Sequence, residues 1–441
     1  MNDERDANAT SALDRRQFIR AGGLAGVAAA ATVPAAAQTG PASPTRPPGT
    51  RSGLEAAYRD NIYTRLLGVR PHLPAHEHIS RLSGSRMPRE VVQAMAEANG
   101  FFVDLSDLLA AANARVASLL GAEAALITSG GFSAMMLGAA ACLTGTDAAK
   151  VEALPHPTWP RRECLIQTVH RFDYDRAYRA AGMTIVEAAT RDEFLKRISE
   201  RTAMIASISA VEHQVEFGPP MPKKRAHGPG ADVMLPAELI EVGRKAGVPV
   251  LVDPASDIPP TENLTRFFKL GADLVVLSGG KAILGPQSTG VLAGRRDLIE
   301  AAALNAFPNA NIGRGMKVGK EEIIGLVVAL ERYLKLDYGQ VMRGWETKAR
   351  YIADQLKGIP GIVAEVAVNT AGYADVDLGW DESVIMLTPQ ELKDRLKQGE
   401  PPLVYDGTTV RTRCLDDGEE RLVAERLRTF FMSEVPRRRS P

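Results

Sequence analysis

The sequence predicts an α/β fold: a mostly parallel central sheet in a large domain, followed by a small C-terminal α/β domain. Three observations point there. Val248-Pro249-Val250-Leu251-Val252-Asp253 and Leu274-Val275-Val276-Leu277-Ser278 are near-continuous apolar runs, as expected of strands buried on both faces of a parallel sheet. They are spaced by roughly one strand–helix–strand unit. Ala125-Leu126-Ile127-Thr128, then Ser129-Gly130-Gly131, then Phe132-Ser133-Ala134-Met135-Met136 reads as strand, tight turn and helix. At 441 residues and 45% hydrophobic content, the chain is long enough for a large core and two subdomains.

Taken in order, residues 1–37 stand apart from the fold. Arg15-Arg16-Gln17-Phe18 precedes a mild apolar run from Ala21 to Val33 and a small-residue site, Ala35-Ala36-Ala37, before Gln38. This resembles a twin-arginine export signal and implies a periplasmic protein. The run is too short and too weakly apolar for a membrane span. Residues 38–53, rich in Pro, Gly, Ser and Thr, form a linker. Residues 54–87 form an N-terminal arm, with an amphipathic helix expected over Leu54–Leu67. Residues 88–317 form the large domain and 318–441 the small one.

Within the arm, His76 and His78 are two residues apart and would share one face of a strand. No third metal ligand is evident, so they read as polar substrate contacts or plain loop histidines. Apolar positions recur at helical spacing from Pro88 to Leu120, placing Phe101, Phe102, Leu105, Leu108 and Leu109 in the core. Leu165 to Asp175 is a strand ending in a polar turn; Thr184–Ala188 and Met204–Ser209 are further strands. Gly218–Pro236 is a Pro- and Gly-rich loop carrying Lys223-Lys224-Arg225, a lid or else mobile surface. Helices are expected over Arg295–Leu304, Glu321–Leu336, Pro389–Lys397 and Glu419–Phe431, and strands over Gly361–Val368 and Ser383–Leu387.

The chemistry lies at three strand ends. Free amides at the start of a helix after Ser129-Gly130-Gly131 make a phosphate site. Asp253 ends one apolar strand. Lys281 follows the next, in Ser278-Gly279-Gly280-Lys281, ahead of Gly285-Pro286-Gln287-Ser288-Thr289-Gly290. Alone, Ser-Gly-Gly-Lys is most often a surface lysine in a turn. Together, a phosphate turn, a carboxylate and a partly desolvated lysine are what pyridoxal 5'-phosphate requires: a Schiff-base amine and an acid to keep the pyridine nitrogen protonated.

These motifs, with Gly271-Ala272-Asp273-Leu274-Val275 and Ile312-Gly313-Arg314 through Lys317-Val318-Gly319-Lys320-Glu321-Glu322, resemble the fold-type I, aminotransferase class V-like pyridoxal phosphate enzymes. Within them, the chain is similar to the selenocysteine synthase-like group that includes D-glucosaminate-6-phosphate ammonia-lyases. The resemblance implies Lys281 as Schiff-base lysine and base, Asp253 on the pyridine nitrogen and His170 stacked on the ring. It further implies Ser129, Gly130, Gly131 and Ser278 on the phosphate. Gln287, Ser288 and Thr289 would contribute from the same or a neighbouring subunit. Arg314, Lys317 and Arg81 would meet a substrate carboxylate or phosphate. It implies a homodimer or larger homo-oligomer, and a substrate that is an amino acid or amino sugar acid losing a β-hydroxyl and ammonia. Transamination, racemisation, sulfur-group lyase chemistry or a non-catalytic binding role are the alternatives. Selenium transfer on a seryl-tRNA is disfavoured: Lys+Arg and Asp+Glu both total 53, so no global basic field suits nucleic acid. The cysteines, Cys142, Cys164 and Cys414, are too scattered for a disulfide framework or a zinc site.

Overall fold

The computed structural model describes residues 51–212, 232–254, 257–368, 372–405 and 408–435, all within the compact unit Gly40–Pro441. The export signal, the linker up to residue 50 and residues 218–231 of the Pro/Gly-rich loop, with Lys223, Lys224 and Arg225, lie outside them.

The chain opens with helices α1 (Arg51–Arg59) and α2 (Ile62–Leu67), a short strand β1 (Leu73–Ala75), and helices α3 (Arg89–Asn99) and α4 (Leu105–Leu120). Next come β2 (Ala124–Thr128), α5 (Gly131–Thr144), β3 (Glu163–Gln167), β4 (Thr184–Ala188), β5 (Thr202–Ile208), β6 (Val250–Asp253), β7 (Leu274–Ser278) and β8 (Gly290–Gly294). Beyond them lie β9 (Ile362–Val368), β10 (Ala374–Trp380), β11 (Leu403–Tyr405) and β12 (Thr409–Val410).

Strands β2 to β8 form one seven-stranded sheet in the order β2-β8-β7-β6-β5-β3-β4. Only β8 runs antiparallel to its neighbours; the other pairs are parallel. It follows that β2, β6 and β7 point the same way and end at one edge. The apolar runs are unbroken because both faces are covered. Val275 and Leu277 pack on one side with Val116, Leu239 and Leu326, while Leu274 and Val276 pack on the other with Met135 and Leu298. Helix α5 sits close on that second face. A Cβ at Gly138 would stand 2.8 Å from Leu251 Cδ1, so a larger residue there would have to displace that methyl.

Several expectations need correction. The Leu54–Leu67 helix is two helices, since the Asn61 side chain caps α2 through the Tyr63 and Thr64 amides. Phe101 and Phe102 are exposed, in the link between α3 and α4, and not core. Ser383–Leu387 is turn and coil, with the Val384 and Ile385 amides both bonded to the Asp381 carbonyl. Strand β10 and the Tyr338–Leu356 helix were not foreseen.

β9, β10 and β12 form a three-stranded antiparallel sheet, and β1 pairs in parallel with β11. Leu54, Tyr58, Leu73 and Ala75 of the arm thereby share a third core with Ile352, Leu378, Leu422 and Phe431. An ionic clasp reinforces this join. Arg86 donates to both carboxylate oxygens of the fully buried Glu419, at 2.8 and 2.7 Å. Tyr58 Oη adds a third bond at 2.7 Å. Burial alone pushes the Glu419 carboxyl up, but the Arg86 hydrogen bonds and charge outweigh it and hold the group below its ordinary 4.5.

A carboxyl depressed on folding contributes its full stability above its unfolded pKa and loses it as pH falls through the folded value. Urea unfolding should therefore show a stability decline below about pH 4.5 that Glu419→Gln flattens. At pH 7 the same variant should cost about 2 kcal/mol, because Arg86 loses its charged hydrogen-bond acceptor at Glu419 while keeping Asp416 at 3.0 Å.

Candidate active site

The shared edge of β2, β6 and β7 carries the first three groups. After β2, Gly130 adopts φ +85, which residues with a Cβ rarely adopt, and α5 starts at Gly131. The first amides of a helix have no acceptor within it, so those of Gly131 and its successors point into the edge. Ser129 Oγ lies 3.0 Å from Ser133 Oγ, and Ser133 Oγ donates to the Ser129 carbonyl at 2.8 Å. Opposite, Gly290 opens β8 and pairs with both Thr128 and Ser278. A Cβ on Gly290 would stand 2.4 Å from the Gly130 carbonyl carbon.

Lys281 follows β7 in a turn pressed against residues 285–289. The Gly279 amide donates to the Thr289 carbonyl at 2.9 Å, and the Gly285 amide to the Gly279 carbonyl at 2.8 Å. Added Cβ atoms at Gly279 and Gly280 would meet Thr289 Oγ1 at 2.1 Å and Gln287 Cα at 2.4 Å. The glycines before Lys281 are thus there for close backbone approach. Asp253, half-buried, ends β6 beside them, opposite Ile208 of β5; the Ser209 amide donates to its carbonyl at 3.1 Å.

His170 is fully buried. Its Nδ1 accepts from the Ile208 amide at 3.1 Å, so Nε2 carries the proton and donates to the Met234 carbonyl at 2.8 Å. The ring is fixed at the end of β5, next to the strand that carries Asp253. Both nitrogens are engaged and neither face is open.

The remaining wall is the segment from His72 to Arg86. Gln287 Nε2 donates to the Ser80 carbonyl at 2.7 Å, and Gly84 packs against Gln287 and the Gly280 carbonyl. Glu77 accepts from Arg413, through Nε at 3.1 Å and through Nη2. Arg413 is buried, lies 4.4 Å over the Tyr373 ring, and faces Asp375 at 3.6 Å. Its Nη1 is buried without a hydrogen-bond partner among the described residues. His72 and His76 meet Nε2 to Nε2 at 2.9 Å. Burial, then the neighbouring His76, pushes His72 down to about 4. His76 follows β1 and His78 lies beyond it, so the two do not share a strand face. Among the described residues no group of three His, Cys, Asp or Glu could hold a metal. Burial pushes the Cys142 and Cys414 thiols up to about 12 and Cys164 higher still, which suits inert core thiols.

The other predicted residues are placed differently. Thr289 is fully buried and its hydroxyl donates to the Pro286 carbonyl at 2.7 Å, while Ser288 donates to Glu322. Arg81, Arg314 and Lys317 are exposed. Arg314 stacks 5.0 Å over Phe307, and Lys317 lines a cavity of about 460 Å³ with Val103, Leu105 and Phe307. Another groove of about 500 Å³, lined by Ser80, Met87, Met95 and Pro286 to Ser288, contains none of Lys281, Asp253 or Ser129. Sequence reasoning missed Arg413 and Glu77. The only signal was the paired Arg411 and Arg413, two apart and so able to share a face.

This donor set fits pyridoxal phosphate: open helix amides in a glycine cradle that a Cβ would fill, a strand-end carboxylate, and a lysine in a tight turn. Comparison with known proteins agrees. The aminotransferase class-V family model matches residues 230–376. The chain is 31% identical over 316 residues to a 5'-C-glycyluridine monooxygenase-decarboxylase of a Streptomyces species, covering 69% of this chain and 74% of the relative. It is 28% identical over 386 residues to the D-glucosaminate-6-phosphate ammonia lyase of Salmonella typhimurium, covering 83% of this chain and 97% of that one. A solved structure of D-glucosaminate-6-phosphate ammonia-lyase superposes with a TM-score of 0.70 at 26% identity, covering 85% of this chain and 99% of the other.

Borohydride treatment of the cofactor-loaded protein should fix the label on Lys281, read by peptide mapping; a label on another lysine contradicts the assignment. Gly290→Ala should weaken cofactor retention by about tenfold or more, roughly 1.4 kcal/mol, because its Cβ displaces the Gly130 turn. Loss of the visible cofactor band on dilution measures it.

Proposed function

The chain belongs to the fold-type I, aminotransferase class-V family of pyridoxal phosphate enzymes, and from that premise we propose that it is an ammonia-releasing lyase. Its substrate would be an amino acid or amino sugar acid with a β-hydroxyl. The observation that carries this reading is the match to an ammonia lyase over more than four-fifths of this chain and nearly all of the relative, in sequence and in structure. When bound, the cofactor supplies an electron sink for the pair left by the broken Cα–H bond.

The chain's own residues do the rest. Gly130, Gly131, Ser129 and Ser278 hold the phosphate. Asp253 keeps the pyridine nitrogen protonated, and His170 fixes the strand ends beside it; ring stacking by His170 needs one of its faces to open. Lys281 Nζ would hold the cofactor's aldehyde carbon and would act as the base toward the Cα proton. Arg413 Nη1, a buried donor without a partner among the described residues, would meet the substrate carboxylate. The Cβ–O bond then breaks, hydroxide leaves with a proton as water, and the released enamine hydrolyses to a 2-keto acid and ammonia.

With D-glucosaminate, its 6-phosphate and serine as trial substrates, ammonia and 2-keto acid should appear in equal amounts while the cofactor spectrum is unchanged. Stoichiometric pyridoxamine phosphate without free ammonia points to a transaminase instead. Asp253→Ala should slow turnover roughly a hundredfold, near 2.7 kcal/mol of transition-state stabilisation. The similarity to a monooxygenase-decarboxylase favours a second reading, in which dioxygen is consumed and carbon dioxide released. An oxygen electrode and carbon dioxide assay on the same substrates separate the two.

Export to the periplasm is the proposed location, supported by Arg15-Arg16 and Ala35-Ala36-Ala37. Changing both arginines to lysine should leave the protein in the cytoplasm. Fractionation of the unaltered chain into the cytosol with an intact N-terminus counts against export. A homodimer or larger homo-oligomer is also proposed, supported by the exposed Tyr63, Leu66, Leu67, Phe101 and Phe102.

A further inference from the structure

The segment from His72 to Arg86 crosses the lysine turn as a strap, and the roles above leave its histidines unused. One end is pinned by Glu77, which takes Arg413 and also Arg411 Nη1 at 3.2 Å. The other end is pinned where Gln287 Nε2 meets the Ser80 carbonyl at 2.7 Å, and where a Cβ on Gly84 would stand 3.0 Å from the Gly280 carbonyl oxygen. Lys281 directly follows Gly280. His78 lies between the two pins, half-buried, with Arg413 held by the residue before it and Lys281 by the turn beyond it.

The three histidines of the strap differ in what they bond. His72 and His76 satisfy each other, and His76 Nδ1 bonds the Glu77 carbonyl at 2.6 Å. His78 forms no hydrogen bond with any described residue. Burial first, then the charges of Arg413, His76 and Lys281, pushes it down to about 3. At neutral pH its imidazole is uncharged, with one donor and one acceptor nitrogen. A neutral donor–acceptor pair that feels the charges of Arg413 and Lys281 complements a hydroxyl. Carboxylate and phosphate are better served by the cations themselves.

We propose that His78 contacts the substrate directly and selects amino acids that carry a hydroxyl on the carbon next to Cα. This deepens, and rests on, the elimination reading. A site built to hydrogen-bond a hydroxyl rejects the analogue that lacks it, because its own polar group is then left unpaired.

The test uses ligands that cannot undergo the elimination. Racemic α-methylserine and 2-aminoisobutyrate differ in the hydroxyl, and neither has a Cα proton to lose. Each is titrated into the cofactor-loaded protein, and the shift of the visible cofactor band gives its dissociation constant. Wild type should bind α-methylserine about tenfold or more tightly than 2-aminoisobutyrate. His78→Ala should bring that ratio near one with 2-aminoisobutyrate binding unchanged, and His78→Gln should keep part of it. Equal binding in wild type, binding of neither ligand, or a ratio that survives both substitutions overturns the proposal. Thermal melting checks that each variant is folded; if His78→Ala is not, the graded ratio in His78→Gln decides. Ammonia release from serine and D-glucosaminate is scored separately. A lost preference with ammonia released removes His78 alone, and a retained preference without ammonia removes elimination alone.

Discussion

The site depends on one antiparallel strand set into an otherwise parallel sheet. Because β8 enters between β2 and β7 from the opposite direction, its first residue pairs with the last residues of both. That residue is Gly290, and its α-carbon lies so near Gly130 that a methyl group would overlap the backbone. The spacing between phosphate turn and lysine turn is therefore fixed by main chain. Gly279 and Gly280, pressed on Thr289 and Gln287, extend the same constraint to Lys281 itself. Rigid placement of this kind is what a reaction at a single carbon needs, since a small displacement of a reacting group costs much of its rate advantage.

How much of this was legible in the sequence follows from where each residue sits. Ser129, Asp253 and Lys281 stand at the ends of apolar runs, and in a parallel sheet the end of a run is also a place in space. The α5 start, β4 and the Arg296–Asn305 helix were legible for the same reason: periodicity and turn residues are local. Arg413 was not legible, since its partner Glu77 is 336 residues away. Nor was β10, whose Asp375 and Asp377 find their partners in Arg411 and Thr409, more than thirty residues on. Phe101 and Phe102 fit a helical period but fall in the break between two helices, where periodicity carries no burial.

Two buried ionic clusters tie the arm to the C-terminal elements, Arg86 with Glu419 and Arg413 with Glu77 and Asp375. Such pairs add little net stability, since the desolvation of each charge offsets most of the attraction. What they supply is a fixed geometry. Without the Arg413 guanidinium, Glu77 would keep the 3.2 Å contact to Arg411, and the strap would be held less tightly between the β1–β11 pairing and the Ser80 contact.

Charge balance then limits what Arg413 can do. Glu77 and Asp375 together with Arg411 and Arg413 make a neutral set, so the guanidinium is not a spare cation that attracts anions from a distance. Its value is directional: one buried Nη1 with no partner among the described residues and a plane already oriented by the Tyr373 ring. A donor held that way favours a group arriving at one position and angle, whereas a free surface cation such as Arg81 or Lys317 favours any anion nearby. Discrimination at this site therefore comes from where donors point. An uncharged imidazole at His78 fits that pattern, because it adds direction without adding charge.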